Sequence, residues 1–301
     1  MIGGIDMENI LSLHDVTKIY NNRRVVNKAS FDIQKGIVCG LLGPNGAGKT
    51  TIMKMIMNQV KCDEGYIEYD KNLKIKYLQD VPNFYEFYTV KEYLNFLLDI
   101  SHYEKDKEDR INEVLKLLDL SDYINHKINK LSRGLRQKVG IASVIVDEPD
   151  VLIMDEPVSA LDPIGRKEIF DTINALRGKV TIIFSSHILT DIERVCDYVV
   201  LINKGKIIVS NEIKNMFSDK QTIQVEFKSR EDLLKIKDKL EYENSFSDSI
   251  ENCLEINYSD VNKLEKDIFK LLIKEEVLVK SVLIKKDNLE EIFLREVRNN
   301  A

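Results

Sequence analysis

Gly43-Pro44-Asn45-Gly46-Ala47-Gly48-Lys49-Thr50 leaves the chain few folds to choose from. The segment matches the pattern of Gly, four free positions, Gly, Lys, then Ser or Thr. The apolar run Ile37-Val38-Cys39-Gly40-Leu41-Leu42 before it suits a buried strand. Thr51-Ile52-Met53-Lys54-Met55-Ile56-Met57 after it suits a helix. Strand, glycine-rich turn and helix in that order make a phosphate cradle. Backbone N–H groups turn inward, and the helix start adds the positive end of its dipole. Lys49 is then expected to reach the β- and γ-phosphates of a triphosphate. The Thr50 hydroxyl is expected on Mg²⁺, with Thr51 beside it in the first helical turn.

The chain has 301 residues, enough for one large domain or two of ordinary size. Its net charge is −6, with basic and acidic residues interleaved, which disfavours nucleic acid as the main ligand. Cys39, Cys62, Cys196 and Cys253 are scattered without metal-ligand spacing, and free thiols in a reducing cytosol account for them. No stretch approaches 18 continuous apolar residues, so no membrane span is expected. Residues 1–7 carry no signal pattern and are expected to form an extension.

Leu11-Ser12-Leu13 and Ala29-Ser30-Phe31-Asp32-Ile33 look like strands, with Asn21-Asn22 as a hairpin turn. Residues 90–146 read as helical: Leu94, Leu97 and Leu98 share one face, as do Ile111, Val114, Leu115 and Leu118. Val151–Met154, Val180–Phe184 and Tyr198–Ile202 return to buried strands. Strands separated by helices predict a mostly parallel sheet with helices on both faces. After Phe217 the composition shifts. Strand at 221–227, helix at 231–240, strand at 253–258, helix at 261–274 and strand at 277–285 follow in order. A last amphipathic helix carries Leu289, Ile292, Phe293 and Val297. The expected organisation is therefore a phosphate-binding domain over 8–217 and a small α/β accessory domain over 218–301.

Val151-Leu152-Ile153-Met154-Asp155-Glu156-Pro157 is an apolar strand ending in two carboxylates. Asp155 is placed to hold Mg²⁺ through water. Strand alternation sends Glu156 to the other side, where it can accept a proton from an attacking water. In Leu131-Ser132-Arg133-Gly134-Leu135-Arg136-Gln137-Lys138, Ser132 is a good cap for a helix whose first N–H groups suit an anion. Together with the loop, these segments resemble the ATP-binding cassette (ABC) family, whose signature is Leu-Ser-Gly-Gly-Gln. Arg133 and Leu135 depart from it; Ser132 and Gly134 are kept. The later part of the chain is similar to the C-terminal extension of ATPase subunits in bacterial export-type systems.

The resemblance implies an α/β P-loop cassette: a mostly parallel sheet with an antiparallel N-terminal β part and a helical subdomain at about 85–140. It implies ATP and Mg²⁺ as ligands. Tyr20 would stack on adenine, or else is a partly buried strand-end tyrosine. Ser132 and Gly134 would reach the γ-phosphate held by a second cassette. Ser159-Ala160-Leu161-Asp162 would cross that dimer interface, and His187 would be the switch histidine orienting Glu156 and water. Either Gln79 or Asp80 fills the metal-contacting glutamine position. The implied protein is an ATP-hydrolysing transporter subunit, paired with a second cassette, an identical copy in the first instance. A separate membrane-spanning permease would hold it at the cytoplasmic face. The rival is a soluble ABC clamp acting on nucleic acid or the ribosome; the stretch between Thr50 and Leu131 lacks the sustained heptads of a clamp.

Overall fold

The computed structural model describes residues 9–159, 161–216, 221–240, 244–246, 251–258 and 261–285. The chain divides into two compact units, with the break between Ile213 and Lys214.

In the first unit, β1 (Asn9–Tyr20) and β2 (Arg23–Gln34) form an antiparallel hairpin. They run well beyond the short apolar segments that flag them in the sequence. The turn is Asn21-Asn22, with φ of 48° and 60°. Two left-handed residues give the twist that a tight hairpin needs, and asparagine tolerates it best after glycine. Next come β3 (Val38–Leu42), α1 (Lys49–Ile56), β4 (Glu64–Tyr69) and β5 (Ile75–Leu78). The helical stretch resolves into α2 (Val90–Ile100), α3 (Lys107–Leu117) and α4 (Arg133–Ile145). Thr89 starts α2 with a capping box: its side chain accepts from the Glu92 N–H, and Glu92 accepts from the Thr89 N–H. Then follow β6 (Val151–Met154), α5 (Pro163–Leu176), β7 (Thr181–Ser186), α6 (Leu189–Val195), β8 (Tyr198–Asn203) and β9 (Lys206–Glu212).

The strand order of the larger sheet is β5-β6-β7-β3-β8-β9, parallel except for the edge strand β9. A second sheet, β2-β1-β4, is antiparallel. β3, β6 and β7 are buried along their whole length, which is why they read as continuous apolar runs and not as alternation. One core joins Leu11, Leu13, Val26 and Phe31 of the hairpin to Ile52, Met53 and Ile56 of α1. From there it reaches Cys39, Ile153 and Ile183 of the parallel sheet. The phosphate loop thus leaves the interior of the sheet and is clamped between two β layers.

The helix α7 (Ile213–Met216) straddles the break. The second unit holds β10 (Gln221–Phe227), α8 (Arg230–Lys237), β11 (Asn244–Phe246), β12 (Cys253–Tyr258), α9 (Val261–Lys274) and β13 (Val279–Lys285). Its sheet is antiparallel in the order β11-β12-β10-β13, the split βαβ arrangement of ferredoxin-like domains. Ile223, Val225, Phe227, Leu254 and Ile256 of the sheet pack on Leu233 and Ile236 of α8 and on Ile268 and Leu272 of α9. The last predicted helix and the 1–7 extension lie outside the described residues.

Ile153 is fully buried in the strand that carries the two carboxylates. Ile153→Ala is expected to cost about 2–5 kcal/mol by cavity formation. Denaturant titration should show a lower midpoint at unchanged slope for the first unit.

Candidate functional site

The loop from Gly43 to Thr50 joins β3 to α1. Its tightness explains its glycines. A Cβ on Gly43 would sit 2.2 Å from the Ile202 carbonyl oxygen. Gly48 has φ of 112°, and a Cβ there would sit 2.8 Å from the Val25 carbonyl oxygen. Pro44, Asn45 and Gly46 form the exposed outer turn, while Ala47 is buried and its N–H donates to the Pro44 carbonyl at 3.1 Å. Thr51 is half-buried in the first turn of α1.

Lys49 is 5% exposed. Its ammonium donates to the carbonyls of Gly43 (2.6 Å) and Pro44 (3.2 Å) and lies 3.9 Å from Glu156 Oε1. Burial pulls its pKa below the usual lysine value, and the charges of Glu156 and Asp155 pull the other way.

Asp155, at the end of β6, gathers the site. Oδ2 accepts from Thr50 Oγ1 at 2.8 Å and from the Tyr77 hydroxyl at 3.3 Å. Oδ1 accepts from Ser185 Oγ at 2.6 Å. Burial, then the Asp155 charge, push the Tyr77 phenol well above its usual range, so it remains a donor. Tyr77 and Ser185 were not among the sequence candidates. Their only signal is position: Tyr77 is on β5 and Ser185 on β7, the two strands that flank β6.

Glu156 corrects an expectation. It does not turn to the opposite side of the strand. Its φ is 44°, so the chain leaves the extended conformation there, at a cost of roughly 1–2 kcal/mol, and strand alternation no longer applies. Its N–H donates to Ser185 Oγ at 2.9 Å, and its carboxylate faces Lys49. His187 Nδ1 lies 3.3 Å from that carboxylate. His187 follows Ser186, whose hydroxyl bonds to Asp191 and accepts from the Ile188 N–H. Asp191 is itself paired with Arg166 of α5 at 2.5 Å.

Other sequence candidates stand apart from this cluster. Ser132 caps α4 by accepting from the Leu135 N–H at 3.3 Å, and nothing lies within 4 Å of a Cβ built on Gly134. Tyr20 ends β1, 44% exposed, with Lys18 Nζ 5.4 Å from its ring centre. Asp162 caps α5 by accepting from the Gly165 N–H, ahead of Pro163. Ser159 Oγ donates to Asp80 Oδ1 at 2.7 Å, while Gln79 is half-buried after β5. Leu161 is half-buried and Ala160 lies outside the described residues.

The ABC transporter family profile matches residues 26–159. The ABC transporter ATP-binding protein YxlF of Bacillus subtilis is 36% identical over 220 residues, 71% of this chain and 74% of its own length. The ABC transporter ATP-binding protein YcbN, also of B. subtilis, is 30% identical over 98% of this chain and 99% of its own. The chain belongs to the ABC transporter ATP-binding protein family. The bacitracin transport ATP-binding protein BcrA of Bacillus licheniformis is 36% identical over 67% of this chain and 69% of its own. The fold is shared with the ADP conformation of an ATP-binding cassette of an ABC transporter. That structure has a TM-score of 0.64, is 24% identical, and is covered over 69% of this chain and 92% of that one. It is shared also with CbiO1 of Clostridium perfringens, part of the transporter complex CbiONQ, at a TM-score of 0.62 and 24% identity over 69% of this chain and 90% of that one. The cassette is an ATPase domain and binds nucleotide. Among the described residues no helix is long and apolar enough to cross a membrane.

Two predictions follow the geometry. Ser185→Ala removes one bond to Asp155 and one to the Glu156 backbone. ATPase turnover should fall about 10–100-fold, as for other groups that orient a ligand. The lowered pKa of Lys49 means that its charged form costs the fold stability. That cost is present in full below the folded pKa and is relieved as pH rises from there to 10.5. Lys49→Met should therefore melt at a higher temperature than wild type without added nucleotide. It should also lose the ATP-induced rise in Tm, which for wild type reflects about 2.7 kcal/mol at a hundredfold excess over Kd.

Proposed function

We propose that the chain powers export through a membrane-spanning permease encoded separately. Two identical cassettes pair head to tail around two molecules of ATP–Mg²⁺ at the cytoplasmic face. The observation that carries the ATPase part is the convergence of Lys49, Thr50–Asp155 and Glu156–His187 at the carboxyl ends of β3, β6 and β7, the usual ligand side of a parallel sheet. Membership of the transporter family supports a membrane partner, and likeness to the bacitracin transport protein BcrA and to CbiO1 of the CbiONQ transporter complex supports transport.

In this reading Gly43–Gly48 wrap the phosphates with backbone N–H groups, and Lys49 moves from the loop carbonyls to the β- and γ-oxygens. A hydroxyl and a carboxylate 2.8 Å apart suit Mg²⁺, which takes few protein ligands and completes its shell with water and phosphate. Thr50 and Asp155 would hold it, with Gln79 or Asp80 as the further contact. When bound, Mg²⁺ neutralises charge that develops on the phosphates. Glu156 accepts the proton of the attacking water, and His187 holds the Glu156 carboxylate in line. Tyr20 stacks on adenine. Ser132 and Gly134 present the α4 start to the partner's γ-phosphate, and residues 159–162 line the same interface. ATP touches both halves, so its differential affinity closes the pair, and loss of the γ-phosphate opens it. The helical region hands that motion to the permease.

Glu156→Gln tests the central step. Turnover should fall at least about 100-fold while ATP affinity persists, and ATP should trap a dimer in size-exclusion chromatography. Near-normal turnover, or a chain that stays monomeric with ATP and has no second cassette, would refute the scheme.

A further inference from the structure

β1 outruns its neighbour on one side. Thr17 pairs with Glu64 at the start of β4, so Lys18, Ile19 and Tyr20 project past that strand. An overhanging edge leaves backbone donors without a ladder partner. Asp63, the residue ahead of β4, supplies the acceptor. Its Oδ2 accepts from the Ile19 N–H at 2.6 Å, and its own N–H donates to the Thr17 carbonyl at 2.9 Å. Its Oδ1 accepts from the Lys18 ammonium at 3.0 Å, and that ammonium also donates to the Lys61 carbonyl at 2.9 Å. The Ile19 N–H first, and then Lys18, hold the Asp63 carboxyl below the usual carboxylate range.

This lysine is unlike an ordinary surface partner of an acid. Lysine heads normally reach for water, yet the Lys18 side chain is only 12% exposed. An ion pair near the surface contributes little stability, so the fold alone does not account for so many anchors on one side chain. Lys18 and Tyr20 are two apart on one strand and share a face. The held ammonium lies over the Tyr20 ring, 5.4 Å from its centre. Tyr20 stays 44% exposed, and among the described residues no other aromatic ring pairs with it. A ring with a fixed cation on one side keeps its other face for stacking.

We propose that Lys18, clamped by Asp63, is a positioning residue for the nucleotide base: its ammonium holds the Tyr20 ring from behind, so the ring meets adenine already ordered. The proposal rests on the reading of Tyr20 as the stacking residue, and adds what turns that side chain into a platform. Order present before binding lowers the entropy that the nucleotide must offset. Lys18 and Asp63 act through the ring and touch neither base nor phosphate.

The test is calorimetric titration of the full chain without Mg²⁺, so that ATP is not cleaved. ATP is compared with inorganic tripolyphosphate, which has no base to stack. Tyr20→Ala should weaken ATP about tenfold. Lys18→Met should weaken it about three- to fivefold, and Asp63→Asn should do the same. Tripolyphosphate should bind these variants as it binds wild type, which also shows that the phosphate loop has folded. In the Tyr20→Ala background, Lys18→Met should change ATP affinity by less than about twofold, because the ring it acts through is gone. Full additivity of the two losses, an equal fall for tripolyphosphate, or unchanged ATP affinity in Lys18→Met or Asp63→Asn would overturn the proposal while leaving Tyr20 as the stacking residue. Unchanged ATP affinity in Tyr20→Ala would overturn the stacking reading, and this proposal with it.

Discussion

The Asp155 carboxylate is the knot of the structure. It accepts from Thr50 on α1, Tyr77 on β5 and Ser185 on β7, three segments far apart in sequence. Hydrogen bonds to an ionised acceptor are shorter and stronger than neutral ones, and a buried carboxylate without them would be expensive. The chain can therefore bury Asp155 only when β5, β6 and β7 are in register and the phosphate loop has closed. Register in the sheet and formation of the site are two views of one event. The same Ser185 hydroxyl that bonds Asp155 accepts from the Glu156 N–H, so one side chain orients the Asp155 carboxylate and fixes the backbone that aims Glu156.

Legibility in the sequence followed locality. The phosphate loop was readable because glycine, lysine and threonine perform there as neighbours in one turn, and the fully buried strands were readable as apolar runs. Ser132 announced a helix start because capping acts within three residues. Tyr77 and Ser185 were silent, since their partner lies on an adjacent strand and strand order is not written in either segment. Glu156 misled by regularity: alternation holds only while the backbone stays extended, and φ of 44° breaks it. Whether Gln79 or Asp80 meets the metal was open from spacing alone. The bond from Ser159 to Asp80 ties the latter to the segment ahead of α5, a contact no linear pattern encodes. Among the described residues the second unit was legible element by element, apart from the short β11; its antiparallel order was not, because a strand-helix rhythm fits parallel and split arrangements equally.

The catalytic end of the sheet joins rigid supports to one strained joint. β3, β6 and β7 hold their residues in a close-packed interior, while Glu156 sits in a backbone conformation that most side chains avoid. Glycine would relieve the strain and delete the carboxylate. Keeping glutamate there means that the position of this acid, beside Lys49 and His187, is held against the preference of its own backbone.

The break at Ile213 and Lys214 leaves each unit with its own set of interior side chains and its own sheet. Among the described residues, no buried residue of the ferredoxin-like unit belongs to the cluster that supports the phosphate loop. Substitutions among Ile223, Phe227 and their neighbours thus act first on the interior of their own unit. A chain built this way is free to alter its appendage over generations while its engine stays unchanged.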